Sequence, residues 1–346
     1  MQLLSRTLAA IPALDEAAMQ NARARLDSLT KPLGSLGRLE ALAVAIAGMR
    51  ADPRPRLERK LVLVLAGDNG VAAEGVSLYP ADVTAQMLLN YARGGAVINA
   101  LARRAGAELV VVDLGVKAAP GELGNVLVRR VAEGTGNLRR EPAMTREQAV
   151  RALEIGIELV RDADVIALGD MGIGNSTSAA ALIAALCDAA PEDVTGRGTG
   201  IDVERWHHKV EVVRDALKLH APDPRDPLAV LAALGGLEIA GLVGVALGAA
   251  ARRIPVLIDG LVPGSAALVA ARLAPRARDF MLASHRSVEV GHSVALRELG
   301  LEPLLDLGLR LGEASGAALA LPLLESACAL LGEVASFEEA GVARAC

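Results

Sequence analysis

The apolar run Asp164-Val-Ile-Ala-Leu168 leads into Gly169-Asp-Met-Gly-Ile-Gly-Asn-Ser-Thr-Ser-Ala-Ala-Ala181 and then an Ala/Leu-rich stretch ending near Cys187. That order predicts a strand, a glycine turn and a helix, the unit from which parallel sheets are built. The same alternation recurs along the chain. Strands are predicted at 61–65, 109–113, 126–128, 165–168, 256–258 and 280–282. Helices are predicted over 81–104, 146–161, 176–188, 205–219, 227–251, 265–274 and 293–299. Short, continuously apolar strands with helical crossovers imply an α/β fold: a doubly wound, mostly parallel sheet with helices on both faces. Residues 1–55 read as helical and polar, interrupted by Lys31-Pro-Leu-Gly-Ser-Leu-Gly-Arg38, and Pro53 and Pro55 mark a boundary.

Such a chain needs an unusual core. Hydrophobic residues make up 52% of 346 residues but aromatics only 1%, so Ala, Val, Leu and Ile fill it, with 35 glycines for close packing. The net charge is -5, with no basic stripe and few rings to stack on bases, so no nucleic-acid partner is expected. Cys187, Cys328 and Cys346 form no C-x-x-C pair, which fits a reducing cytoplasm. The N-terminus lacks a signal-peptide apolar core. Residues 230–251 imitate a membrane span and carry Gly244-x-x-x-Gly248, but Gly235, Gly236 and Glu238 interrupt them. A buried core helix is expected instead, with no membrane partner.

The glycine turn carries the first chemistry. Exposed N–H groups and the helix dipole favour an anion there, and Asn175, Ser176, Thr177 and Ser178 offer caps near Gly172 and Gly174. Asp170 beside that anion site implies a cationic or proton-bearing group close by. Further glycine/acid turns follow the other strands at Gly67-Asp-Asn-Gly70, Asp113-Leu-Gly115 and Asp259-Gly260, on the rim where such sheets bind ligands. Glu313, in Arg310-Leu-Gly-Glu-Ala-Ser-Gly316, is either a general base with a raised pKa or a first-turn glutamate favoured by the helix dipole. Lys209, on a helix after Thr195-Gly-Arg-Gly-Thr-Gly200, meets a phosphate or is a solvated helix lysine. Tyr79 and Met87 form walls for a flat apolar ligand or pack in the core. His285, Glu289 and His292 have helical spacing, but Gly291 argues against a regular helix; a hydrogen-bonded loop is favoured over a metal site.

In this order, these pieces resemble the nicotinate-nucleotide:dimethylbenzimidazole phosphoribosyltransferase family. The matching segments are Lys31–Glu40, Gly67–Ser77, Val83-Thr-Ala-Gln86, Arg93-Gly-Gly95, Pro142-Ala-Met-Thr145, Gly169–Ala181, Gly235-Gly-Leu-Glu238, Val256-Leu-Ile-Asp-Gly260, Ser284-His-Arg-Ser287 and Arg310–Ala320. The resemblance implies transfer of the 5-phosphoribosyl group from nicotinate mononucleotide to 5,6-dimethylbenzimidazole, with inversion to α-ribazole 5′-phosphate. Glu313 matches the general base, and Asp170 stands where many members carry Glu. Met171, Gly172 and Lys209 match the phosphate side, with Gly174, Asn175 and Ser284 in the same matched segments. Tyr79 and Met87 match the base pocket. The resemblance also implies a small helical domain from 1–55 and 303–346, a large nucleotide-binding domain over 56–302, and a homodimer in the cytoplasm. Pyridinium nicotinate leaves as a neutral ring, so no metal or other cofactor is expected.

Two departures stand out: Ala314-Ser315 where many members have Gly-Thr, and Asn69 where His is frequent. They leave the preferred base open between a benzimidazole, a purine and a phenol. A non-catalytic sensor of the nucleotide is the reading from another class, and the carboxyl of Glu313 among small residues argues against it.

Overall fold

Strands form where the apolar runs predict them: β1 (Lys60–Gly67), β2 (Glu108–Gly115), β3 (Val126–Val128), β4 (Val165–Met171), β5 (Val256–Ile258) and β6 (Met281–Ala283). The computed structural model describes residues 2–117, 123–124 and 126–343. All neighbouring strands are parallel, in the order β3-β2-β1-β4-β5-β6. Alternate side chains of each strand serve opposite layers. Leu61, Leu63, Leu65, Val112, Ile166 and Leu168 meet the helices Arg146–Leu159, Asn175–Cys187, Leu237–Ala251 and Leu261–Leu273. Val62, Val64, Val111, Val165 and Ala167 meet Glu16–Ser28, Arg38–Arg50, Val83–Ala92, Val97–Arg104 and Ser315–Glu333. Burial on both faces explains why the strands read as continuous apolar runs.

Two of the long predicted helices are broken. The segment 81–104 forms Val83–Ala92 and Val97–Arg104, parted at Gly94 (φ +76°) and Gly95. The segment 227–251 forms Pro227–Leu234 and Leu237–Ala251, parted at Gly235-Gly236. Apolar residues run through both breaks, so the pattern hides them. Gly291 does not prevent a helix over Val290–Leu299: it lies in the first turn, where a Cβ would fall 2.4 Å from Val194 O. β6 starts one residue late, because Phe280 ends a 3-10 turn.

The span-like segment is a core helix: residues 237–250 of Leu237–Ala251 are all buried. Among the described residues, one helix has the length and hydropathy to cross a membrane, Ser315–Glu333, and 56% of its most apolar window is buried in the protein. Glycine lets Leu237–Ala251 touch its neighbours by backbone. A Cβ on Gly244 would stand 1.9 Å from Leu153 O, and one on Gly156 2.0 Å from Gly241 O. Gly244→Ala must push two helices apart, and a loss of about 3 kcal/mol is expected. A lower urea midpoint at unchanged slope would show it; an unmoved midpoint would refute it.

The helices Glu16–Ser28, Arg38–Arg50 and Ser315–Glu333 pack on one another. Arg25 ties them to the chain end through Leu331 O, Val334 O and Glu339. Gln2–Ala10 instead packs on Arg146–Leu159 and Leu237–Ala251, across the sheet. Cys187 and Cys328 are free thiols, and Cys346 lies outside the described residues.

Candidate active site

The strand order reverses between β1 and β4, whose connections run to opposite sides of the sheet. In open α/β sheets the ligand crevice lies at that switch point, beyond the carboxyl ends of the strands. Two glycine turns meet there, 67–70 after β1 and 169–174 after β4, with Leu65 paired to Asp170 and Ala66 to Met171.

The polar residues after the β4 turn do not cap their helix. Gly174 (φ +94°) is the N-cap, with no side-chain cap bond. The side chains reach sideways instead. Asn175 Nδ2 donates to Asp170 Oδ2 at 2.9 Å, Ser176 Oγ accepts from Lys209 Nζ at 2.9 Å, and Ser178 Oγ donates to Asn69 Oδ1 at 3.1 Å. They lie inside the first helical turn, too late in sequence to reach back to the cap position.

Lys209 is not a solvated lysine. It is 1% exposed, and burial pulls its pKa down to about 8 against the pull of Glu289. Glu289 accepts from Gly198 N at 2.9 Å and so fixes the 195–200 turn beside the ammonium. Trp206, one helical turn before Lys209, donates its indole N–H to Thr195 O at 2.7 Å.

Glu313 is not a first-turn glutamate either. Gly312 (φ +84°), Glu313 (φ +61°) and Ala314 (φ +64°) form a left-handed turn just ahead of the Ser315–Glu333 helix. Two non-glycine residues there carry strain of about 1–2 kcal/mol each. Gly169 makes room for it, since a Cβ there would fall 2.6 Å from Ala314 N. Burial, then the negative charge of Asp170, raises the Glu313 pKa to about 7, against the Ile98 N–H. Ile98 opens a different helix, Val97–Arg104, so that dipole rather than its own helix faces the carboxyl. Tyr91, fully buried, faces the same carboxyl, and neither Tyr91 Oη nor Glu313 Oε2 closes a well-formed hydrogen bond.

Asp170 borders both regions. Burial raises its pKa to about 6, with Asn175 opposing, so it is ionised at neutral pH. It lines a cavity of about 120 Å³ with Ser176, Gly198, His285, Ser287 and Gly312. Behind it, burial pushes Glu238 up to about 8 although Asn69 Nδ2 donates to its Oε1 at 2.8 Å. Asp259, at the start of the Ser315–Glu333 helix, accepts from Ala317 N at 2.9 Å, and burial raises its pKa strongly.

The other expected residues divide. Gly172 is tight against protein: a Cβ would lie 2.4 Å from Gly67 O and 3.2 Å from Glu238 Oε1. Met171 is half-buried at the end of β4. Met87 is half-buried and lies four residues before Tyr91, so the two share one face of their helix. Tyr79 is 55% exposed and lines no described cavity. Ser284 is fully buried and points away from the cavity, donating to Ile258 O at 2.7 Å. His285, Glu289 and His292 do not converge on one point: Glu289 holds Gly198, and His292 Nδ1 accepts from Ser287 N at 3.1 Å.

Sequence reasoning placed Asp259 on the ligand rim and His285 in a hydrogen-bonded loop, but gave Tyr91 and Glu238 no place at the site. The signal for Glu238 was an acid inside an apolar run, which must be buried with partners. Tyr91 was visible as the residue one turn beyond Met87.

A family model described as a phosphoribosyltransferase matches residues 11–342. A protein of Desulforudis audaxviator named nicotinate-nucleotide–dimethylbenzimidazole phosphoribosyltransferase is 52% identical over 350 residues, spanning 100% of this chain and 99% of that one. One of the same name from Chloroflexus aggregans is 52% identical over 99% of this chain and 98% of its own. A crystal structure of such an enzyme from Thermus thermophilus superposes with a TM-score of 0.90 at 45% identity, over 96% of this chain and 100% of that one. With the switch-point crevice, the buried lysine and the strained glutamate turn in place, the chain belongs to the nicotinate-nucleotide–dimethylbenzimidazole phosphoribosyltransferase family.

Proposed function

We propose that the protein transfers the 5-phosphoribosyl group of nicotinate mononucleotide to 5,6-dimethylbenzimidazole, releasing nicotinate and α-ribazole 5′-phosphate for the lower ligand of cobalamin. The observation that carries this reading is the meeting of two buried acids at the switch point: the turn that holds Glu313 lies against Asp170, since a Cβ on Gly312 would stand 3.5 Å from both its carboxyl oxygens. One acid is tuned to about 7, and the other stays ionised beside it. Lys209 and Ser176 receive the 5′-phosphate, beside the turn at 195–200. The benzimidazole enters on the Met87 and Tyr91 side, where Glu313 takes its N–H proton. The second ring nitrogen attacks the anomeric carbon from the face opposite nicotinate. The bond to the pyridinium breaks, and its electron pair neutralises the departing ring. Asp170 offsets the positive charge that grows on the ribose meanwhile.

The test is product analysis with both substrates. Nicotinate release that requires the second base supports the transferase; binding of the nucleotide without release makes the protein a sensor. Substituting adenine or a phenol for the benzimidazole sets the base preference.

The pH dependence follows from two groups. Glu313 accepts a proton only above about 7, and Lys209 keeps its charge only below about 8. The value of kcat/KM is expected to rise through the first and fall through the second. A profile flat from pH 6 to pH 9 would contradict both roles.

Asp170→Asn removes the charge that, after burial, lifts Glu313. A kcat about 100-fold lower is expected, with the acid limb of the profile moved to lower pH. Full turnover in that variant would end its electrostatic role.

We also propose a cytoplasmic homodimer, with the helices of 16–50 and 303–346 as its small helical domain and Gln2–Ala10 left to the large one. Leu33, Leu36, Tyr79, Leu307 and Leu311 leave apolar surface for a second copy. Light scattering at monomer mass would remove the dimer.

A further inference from the structure

The two ring nitrogens of His285 are unequal. Ser284 Oγ lies 2.7 Å from Ile258 O and 3.1 Å from His285 Nδ1. A serine hydroxyl has one hydrogen, and a carbonyl oxygen can only accept. The hydrogen therefore goes to Ile258 O, and Ser284 Oγ accepts at Nδ1. Nδ1 must carry the ring proton. Asp259 Oδ1, 3.7 Å from Nδ1, favours the same tautomer. The ring is held against the start of the Ser315–Glu333 helix, where a Cβ on Gly316 would fall 2.0 Å from Nδ1. Burial lowers the His285 pKa and so favours the neutral ring.

Nε2 is then a bare lone pair. Gly260 lines the cavity beside it, and a Cβ there would stand 3.9 Å from Nε2, at ordinary contact distance. His285 shares the cavity with Asp170, Ser176 and Ser287. A lone pair in that place repels a phosphate oxygen and asks for a neutral donor. A sugar hydroxyl is the donor a phosphoribosyl group brings.

We propose that His285 is a specificity-determining residue that accepts a hydrogen bond from a ribose hydroxyl through Nε2, with Ser284 and Asp259 as positioning residues. The proposal rests on the nucleotide reading of the cleft. It gives Ser284, which cannot touch ligand, a role through its neighbour.

The test is calorimetry without base, using nicotinate mononucleotide and its 2′-deoxy and 3′-deoxy analogues. The wild type is expected to bind the parent about tenfold tighter than one analogue, the usual loss for a buried acceptor left unpaired. His285→Phe abolishes that preference, and His285→Gln, which restores an acceptor, recovers part of it. A variant that weakens all three nucleotides equally shows a ring that only packs, and overturns the proposal. So does a wild type that binds all three alike. A wild type that binds none sinks the nucleotide reading and the proposal with it. Nitrogen-15 NMR of the wild type does not depend on any variant folding: a proton on Nδ1 supports the assignment, and a proton on Nε2 overturns it.

Discussion

Glu313→Gln is expected to lower kcat about 100-fold or more while nicotinate mononucleotide still binds. The amide has nearly the shape of the acid, so the left-handed turn at 312–314 has no new clash to absorb. It cannot take a proton, so the benzimidazole must lose its N–H to water. The acid limb should move from about 7 toward about 6, where Asp170 still titrates. Single-turnover kinetics and calorimetry separate the two effects. A rate within about threefold of wild type, or an unmoved acid limb, would show that another group removes the proton.

Lys209→Met should act on the other substrate and on the other kinetic constant. The thioether is nearly as long as the lysine stem but uncharged. Removing one partner of a buried, hydrogen-bonded charge pair costs a few kcal/mol, so KM for the nucleotide should rise about 100-fold with a smaller change in kcat. Folding stability should fall by less than nucleotide affinity: Glu289 is left buried without its cation, but the cost of burying the ammonium is removed as well. That combination distinguishes a ligand contact from a structural one. Equal losses in affinity and stability would mean that Lys209 serves the fold.

The fold was legible because both faces of the sheet are covered. Runs such as Leu61–Leu65 have no polar alternation and could be read as buried strands directly. The glycine breaks at 94–95 and 235–236 were not legible, since apolar periodicity continues across them. At the site, Asp170 and Asn175 follow β4 to the rim that parallel strands share, whereas Lys209 reaches its place from a helix and Glu313 from a turn ahead of one. Their partners were harder to foresee. That Asn175 clamps Asp170 instead of capping depends on where the helix starts, by one residue. That Glu238 closes a network with Asn69 and Ser178 depends on three distant segments meeting. Ser284 shows the opposite error: it sits in a matching segment, but strand geometry turns its hydroxyl inward to Ile258 O.

The near absence of rings has a practical consequence. Trp206 is the sole tryptophan of the chain, and its indole N–H holds Thr195 O at the entrance of the turn beside Lys209. Emission excited at the red edge of the absorption band, which spares Tyr79 and Tyr91, therefore comes from one fluorophore, anchored at the proposed phosphate end. Titrations on unlabelled material can follow that corner alone, and a silent signal on adding benzimidazole would mark the far end of the cleft.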